Sequence, residues 1–433
     1  MDRDAHQLAR ALMEVAVVGA GWAGLAAAVE ATRAGAQVTL FEMAPAAGGR
    51  ARDVISHGMV LDNGAHICIG AYVETLRLLR LVGVDIDAAF LRRPLTLVNA
   101  DGFGLRMHGG APLPSFVLAV LLRHGWRWRD RVALLRVADA WRRAGFRCAP
   151  EQTVADLAAS LPVAVRRDFI EPLCVAALNT PAERASGMVF LRVLHDALDS
   201  SRGAADLLLP RRGLGEVFPA PALSWLEQAG ATIRLAHRVG RIERIGSGWL
   251  VDAVPADRVV IAASAVEATR LVLPHASEWA ALTARLHHEP IVTVYARSIG
   301  CSLPEPLLAL PSDARQPAQF VFDRGRLGGE AGLLGFVISG ASAWVERGMA
   351  ATEQATLAQA RTALKRHLRG PLEIVRTVTE KRATFTCTPR LARPPMTALP
   401  DLLVCGDYID GPYPATLEGA VRSGVAAAHA AVR

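Results

Sequence analysis

Lysine and closely spaced cysteine are scarce in this sequence, and long apolar runs are missing. Of its 48 basic residues only Lys365 and Lys381 are lysines, and the arginines form no block of like charge, which argues against nucleic acid as a partner. The six cysteines show no Cys-x-x-Cys pair or zinc-ligand spacing, so we expect no metal site and buried thiols in a reducing cytoplasm. No window holds the roughly 18–20 uninterrupted apolar residues of a spanning helix, which argues against an integral membrane protein.

The chain nevertheless has an apolar surplus and a basic balance. Its 433 residues allow two or three domains, at roughly 100–200 residues each. Hydrophobic residues make up 52% of the chain, and the mean hydropathy is +0.25. The formal charge is +7, a balance typical of proteins that meet nucleic acid or anionic lipid. These figures predict a large core with apolar surface to spare.

The N-terminal part has a strand, helix, strand pattern around a glycine-rich turn. A strand pattern at 14–18 runs into Gly19-x-Gly21-x-x-Gly24 and an alanine-rich helix, and the next strand ends at Glu42. In such a turn Gly19 permits the tight bend, Gly21 lets the backbone approach a pyrophosphate, and Gly24 allows close packing of the helix on the strand. An acid at the position of Glu42 accepts hydrogen bonds from ribose hydroxyls. The pattern predicts a dinucleotide-binding unit.

Two further segments indicate which dinucleotide to expect. Gly48-Gly49-Arg50 continues the phosphate-side loop, and Gly406-Asp407 lies between a predicted strand and a helix that begins near Thr416. With the first motif, these segments resemble the flavin amine oxidase and phytoene desaturase superfamily, which binds FAD. The resemblance implies that Asp407 contacts the ribityl chain or the pyrophosphate, and that the helix from Thr416 points its positive N-terminus at the flavin pyrimidine. It also assigns to the cofactor Gly49, Arg50, Gly64, Glu418, Ala420 and, through its backbone at the adenine, Val239.

Three longer stretches narrow the resemblance. Residues 61–79, 171–181 and 414–424 are similar to the hydroxysqualene dehydroxylases of bacterial hopanoid biosynthesis, also described as squalene-associated FAD-dependent desaturases, and the similarity runs from Glu14 to the C-terminus. The family implies reduction of hydroxysqualene to squalene, by hydride transfer from reduced flavin N5 to the allylic carbon after protonation and loss of the hydroxyl. It implies a long isoprenoid substrate and an external reductant such as NADPH or a reduced carrier, with other hopanoid-pathway enzymes as candidate partners. We expect non-covalent FAD, because Cys387, which precedes the last motif as the covalent flavin cysteine of some amine oxidases does, lies too close to Gly406 and among different residues. The family commonly has Gln where this chain has Ala65, which puts a role for that side chain in doubt.

His66 is the candidate proton donor to the leaving hydroxyl. It follows Gly64 in a loop that the superfamily places beside the isoalloxazine ring, and histidine titrates near neutrality. A histidine that only hydrogen-bonds the flavin or the backbone explains the same position. Tyr413 is a candidate for an aromatic wall over the ring and Asn179 for the lining of a substrate channel, with packing or a helix end as the alternative for each.

The strand patterns and the resemblance predict an α/β fold. We expect a Rossmann-type FAD-binding domain with three layers, two of sheet and one of helix (ββα). The domain is built from separated chain segments and has an inserted α+β domain. The FAD-binding domain is assigned to residues 13–90, 205–270 and 380–433. The substrate and membrane-contact domain is assigned to residues 91–204 and 271–379.

Residues 115–146 are a candidate membrane-contact segment. They are helical by the spacing of their apolar residues and carry Trp126, Trp128 and Trp141 among seven arginines. This make-up is typical of an interfacial helix, although an amphipathic helix packed on its own core has the same pattern. Because a long isoprenoid alcohol resides in the bilayer, we expect peripheral association with the cytoplasmic side of the inner membrane through this segment.

Two other functions fit part of these observations. A carotenoid- or phytoene-type FAD desaturase or isomerase shares the fold, the apolar tunnel and the flavin, but removes hydrogen instead of hydroxyl. A flavin-stabilised lipid-binding protein with an inactive site would hold flavin that no substrate reoxidises. The intact loop around His66 and the intact C-terminal flavin motif argue against this second alternative.

Overall fold

Short strands alternate with helices in the structure, a computed structural model that describes residues 12–56 and 58–433. The strands, in chain order, are β1 (Glu14–Val18), β2 (Gln37–Phe41), β3 (Asp53–Ser56), β4 (Met59–Asp62), β5 (Cys68–Ile69), β6 (Phe90–Arg93), β7 (Thr96–Val98), β8 (Gly104–Arg106), β9 (Leu207–Pro210), β10 (Thr232–Arg234), β11 (Ile242–Ile245), β12 (Gly248–Val251), β13 (Val254–Ala256), β14 (Arg258–Ile261), β15 (His288–Arg297), β16 (Leu307–Ala309), β17 (Phe320–Asp323), β18 (Leu333–Ile338), β19 (Glu373–Phe385), β20 (Thr397–Leu399) and β21 (Leu402–Val404).

The α-helices, in chain order, are α1 (Trp22–Arg33), α2 (Val73–Leu81), α3 (Ile86–Ala89), α4 (Pro112–Leu121), α5 (Trp128–Arg143), α6 (Val154–Leu157), α7 (Val163–Val165), α8 (Glu171–Leu178), α9 (Gly187–Leu198), α10 (Leu214–Val217), α11 (Pro219–Gln228), α12 (Ala265–Val272), α13 (Ser277–Ala284), α14 (Ser342–Glu346), α15 (Met349–Ala363) and α16 (Leu417–Ala431). A π-helical turn at Arg166–Ile170 leads into α8, and a 3-10 turn at Gly325–Leu327 follows β17. Within the two described ranges, no helix is long and apolar enough to cross a bilayer.

The main sheet has six strands in the order β10-β2-β1-β14-β21-β20. Its first five strands pair in parallel, and β20 is an antiparallel edge. The strands come from three separated parts of the chain, and the inner ones are buried on both faces, as parallel sheets require. The predicted Rossmann-type parallel sheet is confirmed.

Alternate side chains of β1 enter two different cores. Val15 and Val17 pack with the alanine-rich face of α1 and with α16. Ala16 and Val18 pack on the other side of the sheet, in a core that includes Trp249 of the antiparallel β11-β12-β13 sheet. Because side chains alternate across a strand, one strand serves both faces, and the three predicted layers of sheet, sheet and helix result.

The inserted part is built on a five-stranded antiparallel sheet of order β16-β17-β18-β15-β19. A separate small sheet, β5-β9-β6, joins chain segments that the sequence assigns to different domains, so the predicted domain boundaries stay a prediction. The predicted helical segment at 115–146 is divided into α4 and α5. The chain turns between them, where Gly125 has a φ of 86° that favours glycine.

Candidate flavin site

Two of the three glycines in the turn after β1 are required by packing within the protein, and the third is not. A Cβ on Gly19 would lie 2.7 Å from the Ala262 carbonyl oxygen, and a Cβ on Gly24 would lie 1.8 Å from the Gly19 carbonyl oxygen. A Cβ on Gly21 would meet only the Cα of Gly49, at 3.9 Å. Packing within the chain therefore explains Gly19 and Gly24, whereas a side chain at Gly21 would fill open space at the start of α1.

That open space lies where an anion is favoured. Gly21 is the N-cap of α1, and the helix has neither a capping side chain nor an acid in its first turn. The first N–H groups of a helix lack intrahelical acceptors and carry a partial positive charge. Gly48 holds the second loop against the turn, because its N–H donates to the Ala20 carbonyl over 2.8 Å. The arrangement suits a pyrophosphate between the two loops.

Glu42 is anchored to the same turn. Its buried carboxylate accepts hydrogen bonds from the Ala20 N–H at 2.7 Å and from the Ala44 N–H at 2.8 Å. Each carboxylate oxygen can accept more than one hydrogen bond, so the predicted contact with ribose hydroxyls remains available. The carboxylate therefore also fixes the shape of the loop that would hold the phosphates.

Val239, the predicted adenine contact, lies buried with its carbonyl already engaged. Arg270 Nη2 donates to that carbonyl over 2.7 Å. Within the part of the chain that the structure describes, no acceptor pairs with the Val239 N–H. One backbone group is thus left for a base edge, and the adenine contact stays a prediction.

Arg50 joins three parts of the chain. Its Nη2 lies 2.5 Å from Asp407 Oδ1, and its Nη1 donates to the Ala383 carbonyl over 2.6 Å. Residues 381–383 bulge out of β19, because Glu289 pairs with Thr384 whereas Ile291 already pairs with Glu380. Bulges commonly redirect a chain beside a functional site. Here the bulge brings the inserted five-stranded sheet into contact with Arg50, at the place where Arg50 of one predicted flavin motif meets Asp407 of the other.

The start of α16 offers free donors, but not from every predicted residue. Thr416 is the N-cap, and its Oγ1 accepts the Gly419 N–H at 2.9 Å. The Ala420 N–H already donates to the Thr416 carbonyl, so Ala420 offers no free backbone donor. The N–H groups of the first helical positions, Leu417 and Glu418, remain for a ligand by helix geometry.

The Glu418 carboxylate serves another helix. It is fully buried and accepts hydrogen bonds from the N–H groups of Glu74 and Thr75, at 3.0 and 2.9 Å, and from the Thr75 hydroxyl at 2.7 Å. It thereby caps α2, and Arg422 Nε donates to it over 2.7 Å. The Glu418 carboxylate therefore holds α2 to α16, and the backbone N–H is the group of this residue that remains for the predicted cofactor contact.

His66 lies in the loop between β4 and β5. Its Nδ1 is 2.6 Å from the Gly64 carbonyl, so the neutral ring donates there and leaves Nε2 as an acceptor. Burial lowers the pKa of His66, as does Arg50, against the opposing effects of the Gly64 carbonyl and Asp62. A Cβ on Gly64 would meet only His66 Cε1, at 3.9 Å, which leaves open space beside the ring.

The two predicted substrate-lining residues have protein partners. Asn179 is buried in the left-handed conformation at the end of α8, and its amide bonds Thr384 Oγ1, the Glu289 carbonyl and the Gly340 N–H. It ends a helix and ties three elements together, as the alternative interpretation expects. Tyr413 is partly exposed, and its hydroxyl accepts from Arg192 Nη2 at 2.8 Å.

His288 is a site residue that the sequence does not indicate. It begins β15 opposite Phe385, close to the bulge that contacts Arg50. Burial lowers the pKa of His288, and so does Arg50, whereas Asp407 acts in the opposite direction. No local motif marks this histidine, because strand pairing alone brings it to the flavin motifs.

Comparison with known proteins identifies the family. The model of the flavin containing amine oxidoreductases matches residues 22–432. The chain belongs to this family. As a flavin-containing amine oxidoreductase it is a flavin-dependent oxidoreductase, and the open cradle between the Gly21 loop, Arg50, Asp407 and α16 fits such a cofactor.

Several relatives of this chain have names of their own. Proteins named hydroxysqualene dehydroxylase from Zymomonas mobilis, Sinorhizobium fredii and Rhodopseudomonas palustris are 27%, 26% and 28% identical, each aligned over 96% of this chain and at least 97% of the relative. The predicted resemblance to proteins of that name is confirmed. A probable zeta-carotene desaturase of Synechococcus elongatus is 27% identical over 66% of each chain.

Solved structures confirm the fold of this chain. An oxidoreductase from Methanosarcina mazei superposes with a TM-score of 0.70 at 18% identity, over 96% of this chain and 99% of the other. Cyclohexylamine oxidase from Brevibacterium oxydans superposes with a TM-score of 0.69 at 19% identity, over 97% and 98%. At these identities the likeness concerns architecture alone.

Proposed function

We propose that the protein is an FAD-dependent hydroxysqualene dehydroxylase that converts hydroxysqualene to squalene in hopanoid biosynthesis. The observation that carries the proposal is the alignment over 96% of the chain with relatives of that name. The desaturase alignment covers only 66% of the chain, which favours the desaturase alternative less. Bound reduced FAD supplies the hydride that replaces the hydroxyl.

The flavin is held without a covalent bond. Cys387 precedes the C-terminal flavin motif but is buried, and burial raises the pKa of its thiol to about 12. The thiolate is the nucleophilic form of cysteine, and this form is disfavoured here. Arg50, Asp407 and the free N–H groups at the starts of α1 and α16 hold the cofactor instead.

His66 protonates the leaving hydroxyl in this proposal. The neutral ring cannot do so, because its proton is on Nδ1 and is donated to the Gly64 carbonyl. Only the imidazolium carries a second proton, on Nε2, and the lowered pKa makes this form scarce but strongly acidic. If His66 instead only accepts a hydrogen bond, it is a positioning residue and the acid lies elsewhere.

The experiment uses holoenzyme reduced by light under anaerobic conditions. Addition of hydroxysqualene should give squalene, detected by mass spectrometry, and should restore the oxidised flavin spectrum with one squalene formed per flavin. Incubation of oxidised holoenzyme with phytoene or zeta-carotene should give no desaturated product. Reduced flavin that persists in the presence of hydroxysqualene would contradict the proposal, and carotene desaturation would favour the alternative.

Membrane contact is proposed through the turn between α4 and α5 and not through the whole of 115–146. Phe116, Val120 and Leu134 are buried in the protein's own core. Within 115–146 the exposed large apolar side chains are Leu118, Leu122 and Trp128, and α7, which contacts α5, adds Val163. We call these four side chains, exposed by 43%, 54%, 65% and 66%, the docking patch.

Basic side chains surround the docking patch. Arg127 and Arg129 are exposed beside Trp128, and Arg131 Nη1 donates to the Leu121 carbonyl, which holds the start of α5 to the end of α4. Apolar side chains with a basic rim fit the surface of an anionic bilayer, where the isoprenoid substrate resides. The protein then acts at the cytoplasmic side of the inner membrane.

A further inference from the structure

A groove of about 420 Å³ follows one side of α16, and we call it the α16 groove. At one end it is lined by Asp407 and Gly419, at the predicted flavin motif, and at the other end by the exposed His429. Because an α-helix rises 1.5 Å per residue, the path from Gly419 to His429 is about 15 Å long. The volume lies within the range of small-molecule sites. The groove therefore connects the surface with the residues that would hold the flavin.

Arg422 is prepared for an anion in this groove. Its Nε donates to the buried Glu418 carboxylate, which α2 holds in place. Its guanidinium carbon lies 4.8 Å from the centre of the Tyr413 ring. Both Nη atoms lack a hydrogen-bond partner within the described residues. A guanidinium fixed at Nε with a free pair of donors matches the geometry of a phosphate.

The other charged groups of the groove offer acceptors to a ligand that also carries hydroxyl groups. Glu74, Asp407 and Asp410 also line it. Each of these carboxylates is paired with an arginine: Glu74 with Arg77, Asp407 with Arg50 and Asp410 with Arg393. Their remaining lone pairs can accept hydrogen bonds, such as those from ribose hydroxyls. A ligand with phosphates near its middle and sugar hydroxyls on both sides satisfies both kinds of group. A dinucleotide has this composition.

We propose that the α16 groove binds a dihydronicotinamide dinucleotide that reduces the flavin. The inference rests on the proposed function, because reduction of hydroxysqualene consumes two electrons from the flavin in each turnover. The phosphates lie on Arg422 and the nicotinamide lies toward Asp407 and Gly419. Carbon 4 of the nicotinamide gives a hydride to the flavin, so the nicotinamide loses two electrons and the flavin gains them. No further reactant is consumed in this step.

The test uses a charge introduced into the groove without altering a predicted flavin or substrate residue. Ala426 is exposed in α16 and lines the groove, so Ala426→Glu adds a carboxylate beside the phosphates. Ala358→Glu places the same change on the exposed side of α15 and is the matched control. Arg422→Lys is the second variant, because a lysine keeps a charge beside Glu418 but removes the paired donors.

Two measurements are made on each holoenzyme. Calorimetry measures the binding of NADP+ and NAD+, and anaerobic stopped-flow absorbance measures flavin reduction by NADPH and NADH. We expect at least one of the two reduced dinucleotides to bleach the flavin of the wild type. Ala426→Glu and Arg422→Lys should each weaken dinucleotide binding about tenfold or more, while Ala358→Glu leaves it unchanged.

Experiments with light-reduced enzyme test the proposed function without the dinucleotide, so failure of the proposed function and failure of this inference can be told apart. Ala426→Glu that has been reduced by light should convert hydroxysqualene like the wild type. The inference is overturned if neither dinucleotide binds, or if both groove variants bind and react like the wild type, while light-reduced enzyme still forms squalene. Failure of light-reduced wild type to form squalene would instead reject the proposed function.

Discussion

Arg50 and Asp407 lie 357 positions apart in the chain, yet their side chains form an ion pair of 2.5 Å. The same guanidinium contacts the bulge of β19 through the Ala383 carbonyl. The pair therefore closes the flavin-binding motifs on each other and attaches the inserted sheet to them. We expect the ion pair to contribute to FAD affinity only when both partners are present, because removal of one would leave the other charge unpaired in a mostly buried environment.

A double-mutant cycle tests this dependence. Arg50→Gln and Asp407→Asn should each lower FAD affinity about tenfold or more, and the double variant should lose much less than the sum. Partners in one ion pair typically show coupling energies of about 0.5–3 kcal/mol. FAD titration of the apoprotein measures each corner, with Arg92→Gln, which breaks the more exposed pair with Asp206, as the control. Additive losses would show that the two residues act independently.

Gly21 and Gly24 should respond differently to the same substitution. Gly24→Ala places a methyl group 1.8 Å from the Gly19 carbonyl oxygen. Overpacking of this kind typically costs about 1–3 kcal/mol or more, so apoprotein stability should fall by that amount. Gly21→Ala meets nothing closer than 3.9 Å and should change apoprotein stability by less than about 0.5 kcal/mol, yet weaken FAD binding about tenfold or more.

Urea unfolding of the two apoproteins and FAD titration measure the glycine variants. Gly109→Ala is the matched control for the loss of a glycine, because Gly109 likewise has no positive φ and nothing lies within 4 Å of its added methyl group. If Gly21→Ala binds FAD as tightly as the wild type, no phosphate lies at the start of α1. That result would contradict the proposed position of the cofactor phosphates, which is the part of the site that the structure defines best.

Local patterns were sufficient to predict the glycine turn and the strands around it, because each depends on residues that are close in sequence, such as Gly19 and Gly24 around one bend. The layered fold was predicted with the help of the family resemblance, because its main sheet joins strands from three separated parts of the chain. Glu418 shows the limit of such reasoning. Its position in the motif indicates a cofactor contact, which stays a prediction, but no local pattern indicates that its carboxylate bonds Thr75, 343 positions away. His288 was missed for the same reason, since only strand pairing brings it beside Arg50.

The pH dependence of the chemical step tests the role of His66. Its pKa in the folded protein is lowered from the ordinary value of 6.5, so the imidazolium is populated only in more acidic solution. If this form is the proton donor, the single-turnover rate of light-reduced enzyme rises as pH falls through the lowered pKa and declines toward neutral and basic pH. His66→Gln should slow the reaction by about 100-fold or more and remove this pH dependence.

The control for the histidine experiment is His367→Gln, which alters a partly buried histidine in the turn after α15, where its ring contacts the Ala100 carbonyl. It should keep the wild-type rate and profile. A rate that does not change between pH 5 and 8, or full turnover in His66→Gln with bound FAD, would exclude the acid role. The ring would then serve to position the Gly64 loop.

Loss of the docking patch should release the protein from anionic membranes. Leu122→Ser with Trp128→Ser removes two side chains that are exposed by 54% and 65%. Burial of a large apolar side chain contributes about 1.5–3 kcal/mol, so the double variant should bind vesicles about tenfold or more weakly. Flotation with vesicles of anionic lipid measures the binding. The control is Ile299→Ser, which removes an apolar side chain that is exposed by 81% outside the docking patch and should float like the wild type. Binding should also weaken with added salt, because Arg127 and Arg129 are exposed to screening. If the wild type stays at the bottom of the flotation gradient at low salt, the membrane contact is rejected. If the double variant floats as well as the wild type, the membrane contact lies elsewhere on the surface.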